Sequence, residues 1–277
     1  MNITFWGTRG SLAAPGPETT RYGANTACVE VRAADGTVLI LDAGTGIRRC
    51  GAALPESLRR VDILLTHLHM DHIQGLAFFR PLRNPSVEAH IWGPVSSTLS
   101  LHDRLSRYLS PPLFPVRLRD LEASVELHEV PGELAQIGPF RLSAGLICHP
   151  DAAVGYRIIS PEGSLAYLPD HEPALGVRDF PQSAAWTSGA ALADGVDVLI
   201  HDAQYTDAEY PEHVGWGHSA LSQARAFALL TGAKHLVGFH HDPARDDDDL
   251  DRMYADASTP ALLVTAAREG AAIRLNR

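Results

Sequence analysis

The feature that most constrains this chain is Thr66-His67-Leu68-His69-Met70-Asp71-His72, which ends the apolar run Val61–Thr66. The run is short and apolar, as expected of a strand buried on both faces. In an extended chain, residues two apart point the same way, so His67 and His69 share a face. Asp71 and His72 then fall where the chain turns into the next element, and can face the same cavity. Isolated histidines usually have no special role. Four nitrogen and oxygen donors within six residues exceed what one metal ion takes from one segment, and they point to two ions held close together.

The remaining sequence supplies a fold around this segment. Short runs at Met1–Trp6, Ala27–Ala33 and Val38–Asp42 read as strands, separated by glycine-containing turns. A helix is expected over Ile73–Leu82, with prolines at 81 and 85 ending it. Further strands are expected at Val87–Trp92, Val125–Val130, Phe140–Leu146, Gly155–Ile159, Ser164–Leu168, Val196–His201 and His235–His240, and helices at Ser219–Thr231 and Leu250–Ala257. Residues 94–123 differ in character. Pro94, Pro111, Pro112 and Pro115 frame a helix at Ser97–Tyr108 and an extended piece at Leu113–Leu118, so this stretch reads as an inserted arm over the core. The Asp246–Asp249 run reads as a solvated, acidic helix N-terminus. No repeat or composition break divides the 277 residues, which predicts a single α/β domain over 1–277.

These motifs resemble the metallo-β-lactamase fold superfamily, whose hallmark is HxHxDH, and the resemblance covers most of the chain. Gly7-Thr8-Arg9-Gly10-Ser11 and Leu41-Asp42-Ala43-Gly44 are similar to the glycine-rich turn and the buried acidic turn near the start of that fold. Cys148-His149-Pro150 followed by Gly155-Tyr156-Arg157 resembles the single-histidine strand of its ribonuclease Z-like branch. Tyr167-Leu168-Pro169-Asp170 resembles the strand ending in a metal-bridging aspartate, and Leu236–His240 the final strand with the last ligand. The resemblance implies an α/β fold, a four-layer αββα sandwich. It also implies one metal on His67, His69 and His149 and another on Asp71, His72 and His240, with Asp170 bridging both. His241 adjoins His240 and is the alternative last ligand, although His240 lies directly at the strand end. Imidazole and carboxylate donors suit Zn2+, with Mn2+ or Fe2+ as alternatives.

A second constellation is His201-Asp202-Ala203 and, sixteen residues beyond Asp202, Gly217-His218-Ser219. It looks like the paired motifs of ribonuclease Z-like phosphodiesterases, in which an acidic residue, commonly Glu, orients a histidine. Here Asp202 is one methylene shorter. The chemistry this implies is general acid catalysis: an alkoxide leaving group needs a proton, and a histidine held by a carboxylate supplies it. Asp71, Asp202 and His218 are therefore the candidate catalytic residues. Ser219 could instead be a helix cap with His218 beside it. Arg9 and Asn25 could meet phosphate or shape the loop that carries them. Tyr205, Tyr210, His213 and Trp216, between the two motifs, could stack a base or pack on the core.

The expected function is hydrolysis of a small phosphodiester, a cyclic nucleotide or related cyclic phosphate. The alternatives are a ribonuclease Z-like tRNA 3′ endonuclease, a thioester or lactone hydrolase of the same fold, and a non-catalytic nucleotide-sensing module. With 23 basic and 33 acidic side chains, net charge −10, long nucleic acid is not an expected partner. The arm's charges nearly balance, unlike those of a basic tRNA clamp. Three scattered cysteines and the lack of a signal-like N-terminus suit a cytoplasmic protein. No apolar stretch approaches the roughly 20 residues of a membrane span. A homodimer is the expected assembly, as the commonest symmetric one.

Overall fold

The computed structural model describes residues 1–130, 132–133, 136–177 and 179–276. Its first sheet holds β1 (Asn2–Gly7), β2 (Cys28–Arg32), β3 (Val38–Leu41), β4 (Arg60–Leu64), β5 (Glu88–Pro94) and β6 (Ser124–Val130). The second holds β7 (Gly132–Glu133), β8 (Arg141–Leu146), β9 (Val154–Ser160), β10 (Gly163–Leu168), β11 (Val198–Asp202), β12 (His235–Phe239) and β13 (Leu263–Ala266). The last strand, β14 (Ala272–Arg274), returns to the first sheet. The orders are β14-β1-β2-β3-β4-β5-β6 and β13-β12-β11-β10-β9-β8-β7.

Three apolar clusters separate four layers. Between the sheets, Ile3, Phe5, Val29 and Leu41 of the first meet Tyr156, Ile158, Tyr167 and Phe239 of the second. Outside the first sheet, α1 (Ile47–Ala53), α2 (Met70–Ile73) and α3 (Leu101–Tyr108) bury Ile47, Ile73 and Leu105 against Ile40, Ile63 and Ile91. Outside the second, α4 (Ala190–Ala193) and α5 (Leu221–Thr231) bury Leu192 and Phe227 against Leu199 and Leu236, with α6 (Asp247–Tyr254) beside them. This is the αββα sandwich. Because β3 and β10 are buried on both faces, Val38–Leu41 and Leu165–Leu168 read as unbroken apolar runs. Strands β3, β4 and β5 run parallel, as do β10, β11 and β12. Ligand sites in such sheets lie beyond the strands' carboxyl ends.

Several boundaries differ from the sequence reading. The helix expected over Ile73–Leu82 is α2 alone, followed by 3-10 turns at Leu76–Phe78 and Arg80–Arg83. Gly75 donates its N–H to the Ala43 carbonyl (2.9 Å), and a Cβ there would strike the Gly44 backbone, so contact with the turn after β3 ends the helix. Helix α3 starts at Leu101, because Ser100 caps it by accepting from the Asp103 N–H (3.1 Å). The extended piece expected at Leu113–Leu118 is a series of turns. Leu101, Leu105, Leu109 and Leu118 of residues 94–123 are buried in the outer cluster of the first sheet. The acidic run is not wholly solvated: Asp246 caps α6, and the buried Asp247 accepts from the backbone N–H groups of Arg21 and Tyr22. The short elements α1, α4, β13 and β14 carried too little periodicity to be anticipated. Among the described residues, no helix is long and apolar enough to cross a membrane.

Candidate metal centre

The seven ligand candidates come from four places in the chain and meet at one end of the sandwich. His67 and His69 follow β4, and α2 presents Asp71 and His72. His149 lies between β8 and β9, Asp170 two residues beyond β10, and His240 immediately after β12. They form two groups, His67/His69/His149 and Asp71/His72/Asp170/His240, with the donor atoms of each within 4.8 Å of one another. In the second group, His72 Nε2 is 3.2 Å from Asp71 Oδ2 and 3.1 Å from Asp170 Oδ1. His240 Nε2 is 3.1 Å from Asp71 Oδ2 and 3.2 Å from Asp170 Oδ2. In the first, His149 Nε2 lies 3.3 Å from His69 Nδ1. A tetrahedral ion with bonds of about 2.0–2.1 Å separates its ligands by about 3.3–3.4 Å. Asp170 Oδ2 also lies 3.8 Å from His67 Nε2 and 4.0 Å from His149 Nε2, so this carboxylate faces both groups.

The other nitrogen of four of these imidazoles is already engaged. His72 Nδ1 donates to Asp42 Oδ2 (2.8 Å), His149 Nδ1 to the Gly217 carbonyl (3.0 Å), and His240 Nδ1 to Gln204 Oε1 (3.0 Å). The Thr66 hydroxyl donates to Asp42, so the 3.1 Å contact at Thr66 Oγ1 takes its proton from His67 Nδ1. Each bond leaves Nε2 turned into the cavity with a lone pair to give, as metal-ligating histidines require. His67 Nε2, His72 Nε2 and Asp170 Oδ1 are buried without a hydrogen-bond partner among the described residues. Buried polar atoms seldom go unpaired, and cations held by the two groups account for all three. The donor set therefore fits divalent ions.

Backbone geometry supports the arrangement. Asp42 (φ 59°) and His240 (φ 60°) occupy the left-handed region, which is strained for most side chains and clusters at functional sites. Asp42 is buried, accepting from Thr66, His72 and Tyr167. Gly10 lies against the His240 ring, where any Cβ would overlap it, and Gly217 (φ 89°) similarly leaves room for His149.

The charges follow from the packing. Burial pushes the pKa of His67, His69 and His149 down, favouring neutral imidazoles. Burial opposes ionisation of Asp71 and Asp170, but the neighbouring histidines outweigh it and hold both below the carboxylate range. For His72, burial is outweighed by the charges of Asp170, Asp71 and Asp42, and its pKa lies well above the usual value. A field that binds one proton so tightly also attracts a divalent cation.

Beside this cluster His218 Nδ1 donates to Asp202 Oδ2 (2.7 Å), and it lies 3.8 Å from Asp170 Oδ2. Burial lowers the His218 pKa, but Asp202 above all raises it, with Asp170 and Asp71 adding, to about 9. Asp202 Oδ1 accepts from the backbone N–H groups of Ser219 (2.8 Å) and Gln204 (3.1 Å). Ser219 is not the cap of α5; its hydroxyl donates to the His171 carbonyl, and Ala220 is the N-cap.

The structure also settles side chains left open by the sequence. His241 Nε2 donates to the Ala267 carbonyl (2.9 Å), away from the cluster that His240 joins. Arg9 is buried and donates to the carbonyls of Gly23, Asp242 and Arg245, so it shapes its loop. Asn25 does likewise through Glu269. In the aromatic loop Tyr205 stacks on His213 (4.3 Å) and Tyr210 donates to Glu172, while Trp216 is exposed. Gln204, Glu172 and the tethering role of Asp42 were not legible in sequence; all three act by holding a neighbour. A cleft of about 410 Å³ opens at the His67/His69 side, lined also by Met70, Arg104, Arg107 and Tyr108.

The sequence profile of the Beta-lactamase superfamily domain matches residues 37–241. A ribonuclease Z of Gemmatimonas aurantiaca is 25% identical, the match covering 87% of this chain and 88% of that protein. The human tRNase Z, short form, superposes with a TM-score of 0.72 at 23% identity, over 100% of both chains. A diphosphatase of the PhnP family gives a TM-score of 0.70 at 21% identity, covering 99% of this chain and 98% of that one. The expectation that long nucleic acid is excluded does not stand, because relatives matching nearly the whole chain are ribonucleases. Net charge misled because it averages the surface, whereas a phosphodiester meets only the local field of the cleft.

Proposed function

The chain belongs to the metallo-β-lactamase superfamily, in its ribonuclease Z-like, phosphodiesterase branch, and on that premise we propose that it is a two-metal phosphodiesterase with His218 as general acid. It is a metal-dependent hydrolase. One metal would be held by His67, His69 and His149, the other by Asp71, His72 and His240, with Asp170 between them. Zn2+ is the preferred ion for this imidazole-rich set, with Mn2+ or Fe2+ as alternatives. When bound, such ions supply Lewis acidity that lowers the pKa of water and neutralises phosphoryl charge.

The observation that carries the reading is the 2.7 Å bond between His218 and Asp202, beside Asp170. Asp202 holds the imidazole in one orientation and favours its protonated form, and His218 gives that proton to the departing oxygen. Asp71 combines ligation with an anchored carboxylate, its Oδ2 accepting from the Ser11 N–H (2.8 Å). In a single domain, the 94–123 arm would supply the outer wall of the cleft, with Arg107 presenting a cation to the substrate. The cleft volume suits a small ligand, which supports a cyclic nucleotide or related cyclic phosphate. The ribonuclease Z relatives favour a second reading, cleavage near an RNA 3′ end. The free cysteines suit a cytoplasmic protein.

Zn2+-reconstituted protein should be assayed on 2′,3′- and 3′,5′-cyclic nucleotides, a 3′-extended RNA and a thioester, with a chelator control. Phosphodiester turnover that chelation abolishes supports the assignment. Thioester turnover alone refutes it.

A further inference from the structure

A third cluster of metal-ligand side chains, His90, Glu126 and His128, lies on the first sheet and shares no residue with the catalytic groups. His90 and Glu126 are register partners on the parallel strands β5 and β6. His128 is two residues beyond Glu126 and so shares its face. His90 Nδ1 is 2.9 Å from His128 Nε2 and 3.5 Å from Glu126 Oε2, and His128 Nε2 is 3.9 Å from that oxygen. These separations bracket the roughly 3.3–3.4 Å expected between tetrahedral ligands of a zinc-sized ion.

We propose that His90, Glu126 and His128 form an additional divalent-cation site, of the two-histidine, one-carboxylate type, with solvent completing the coordination. Two features favour it. His90 is nine-tenths buried, so the packing fixes one ligand, while Glu126 is exposed and leaves a route of entry. His128 stacks on the Trp92 ring (centroids 3.9 Å apart), which restrains the second imidazole. Nitrogen and carboxylate donors suit Zn2+, Ni2+ or Cu2+ better than Mg2+ or Ca2+. The site joins β6, the edge strand of its sheet, to β5, so the ion would clip an edge that backbone hydrogen bonds secure on one side only.

The test counts metal in the full chain. Protein equilibrated with a small excess of Zn2+ is dialysed and analysed for zinc, alongside His128→Ala and Glu126→Gln, which change partly exposed side chains and should fold. Wild type should hold one equivalent more than His128→Ala, whatever the catalytic complement. Phosphodiester turnover should be the same in both. Titration with Co2+ should quench tryptophan emission more in wild type than in His128→Ala, and Trp92→Phe should remove that difference while retaining the extra equivalent. Glu126→Gln should bind the extra ion at least tenfold more weakly. Equal zinc content in wild type and His128→Ala would overturn the proposal, as would equal Co2+ quenching in the two.

Discussion

Replacing Asp202 by Asn tests the acid assignment with almost no change in shape. Oδ1 of Asp202 accepts from two backbone donors, Ser219 N and Gln204 N. In the variant those donors keep the amide oxygen in place, which forces the amide nitrogen toward His218. His218 Nδ1 now faces a donor, which disfavours the imidazolium. The lost contact is a buried, charge-assisted bond of 2.7 Å. Such bonds contribute about 1.5–3 kcal/mol. At about 1.4 kcal/mol per pK unit, the His218 pKa falls by roughly one to two units from about 9. The rate loss on an alkoxide-leaving ester should be roughly 10- to 150-fold, and His218→Ala should cost more, about 10²–10⁴-fold. On a nitrophenyl phosphodiester, whose leaving group needs little protonation, both variants should lose less than about tenfold. The assay is steady-state turnover of the two substrates by the same preparations, with zinc content measured in parallel. Equal losses on both substrates at unchanged zinc content would refute the reasoning, and so would an undiminished rate on the alkoxide ester.

Other consequences are as direct. Asp42→Asn weakens the bond that orients His72 and should reduce metal affinity about 10–100-fold, measured by competition with a chromophoric chelator. Asp71→Ala or His69→Ala should abolish activity and lower bound metal; full metal content in both would mean the ligand set is wrong. Arg107→Ala should raise KM several-fold with kcat little changed, as expected where a cation acts on substrate binding alone. His201 is buried, its Nδ1 donating to the Asp202 carbonyl, and burial lowers its pKa. It stays neutral in the fold, whereas an unfolded histidine takes a proton near pH 6.5. The unfolded state thus binds more protons below that pH, and stability falls with acidification, by up to ~1.4 kcal/mol per unit for this group. Urea unfolding at pH 7.5 and 5.5 measures the loss, and His201→Gln should reduce the slope; an unchanged slope would refute the assignment.

Local pattern was enough to pick out the candidate ligand segment. The run Val61–Thr66 reads as buried because its residues are apolar, and His67–His72 reads as a ligand cluster because its donors are close in sequence. Boundaries were less legible where a tertiary contact stopped an element, as Gly75 does against Ala43. By itself the sequence determined the donor types, the order of the motifs and hence the superfamily resemblance. Only the tertiary structure decided which atoms meet. It turned His240 inward and His241 toward Ala267, and it made Arg9 a brace between loops. It also supplied Asp42, Gln204 and Gly217 as the groups that aim the imidazoles. The physical reason is that a ligand's identity is local, whereas its orientation comes from hydrogen bonds to partners 30, 36 and 68 residues away.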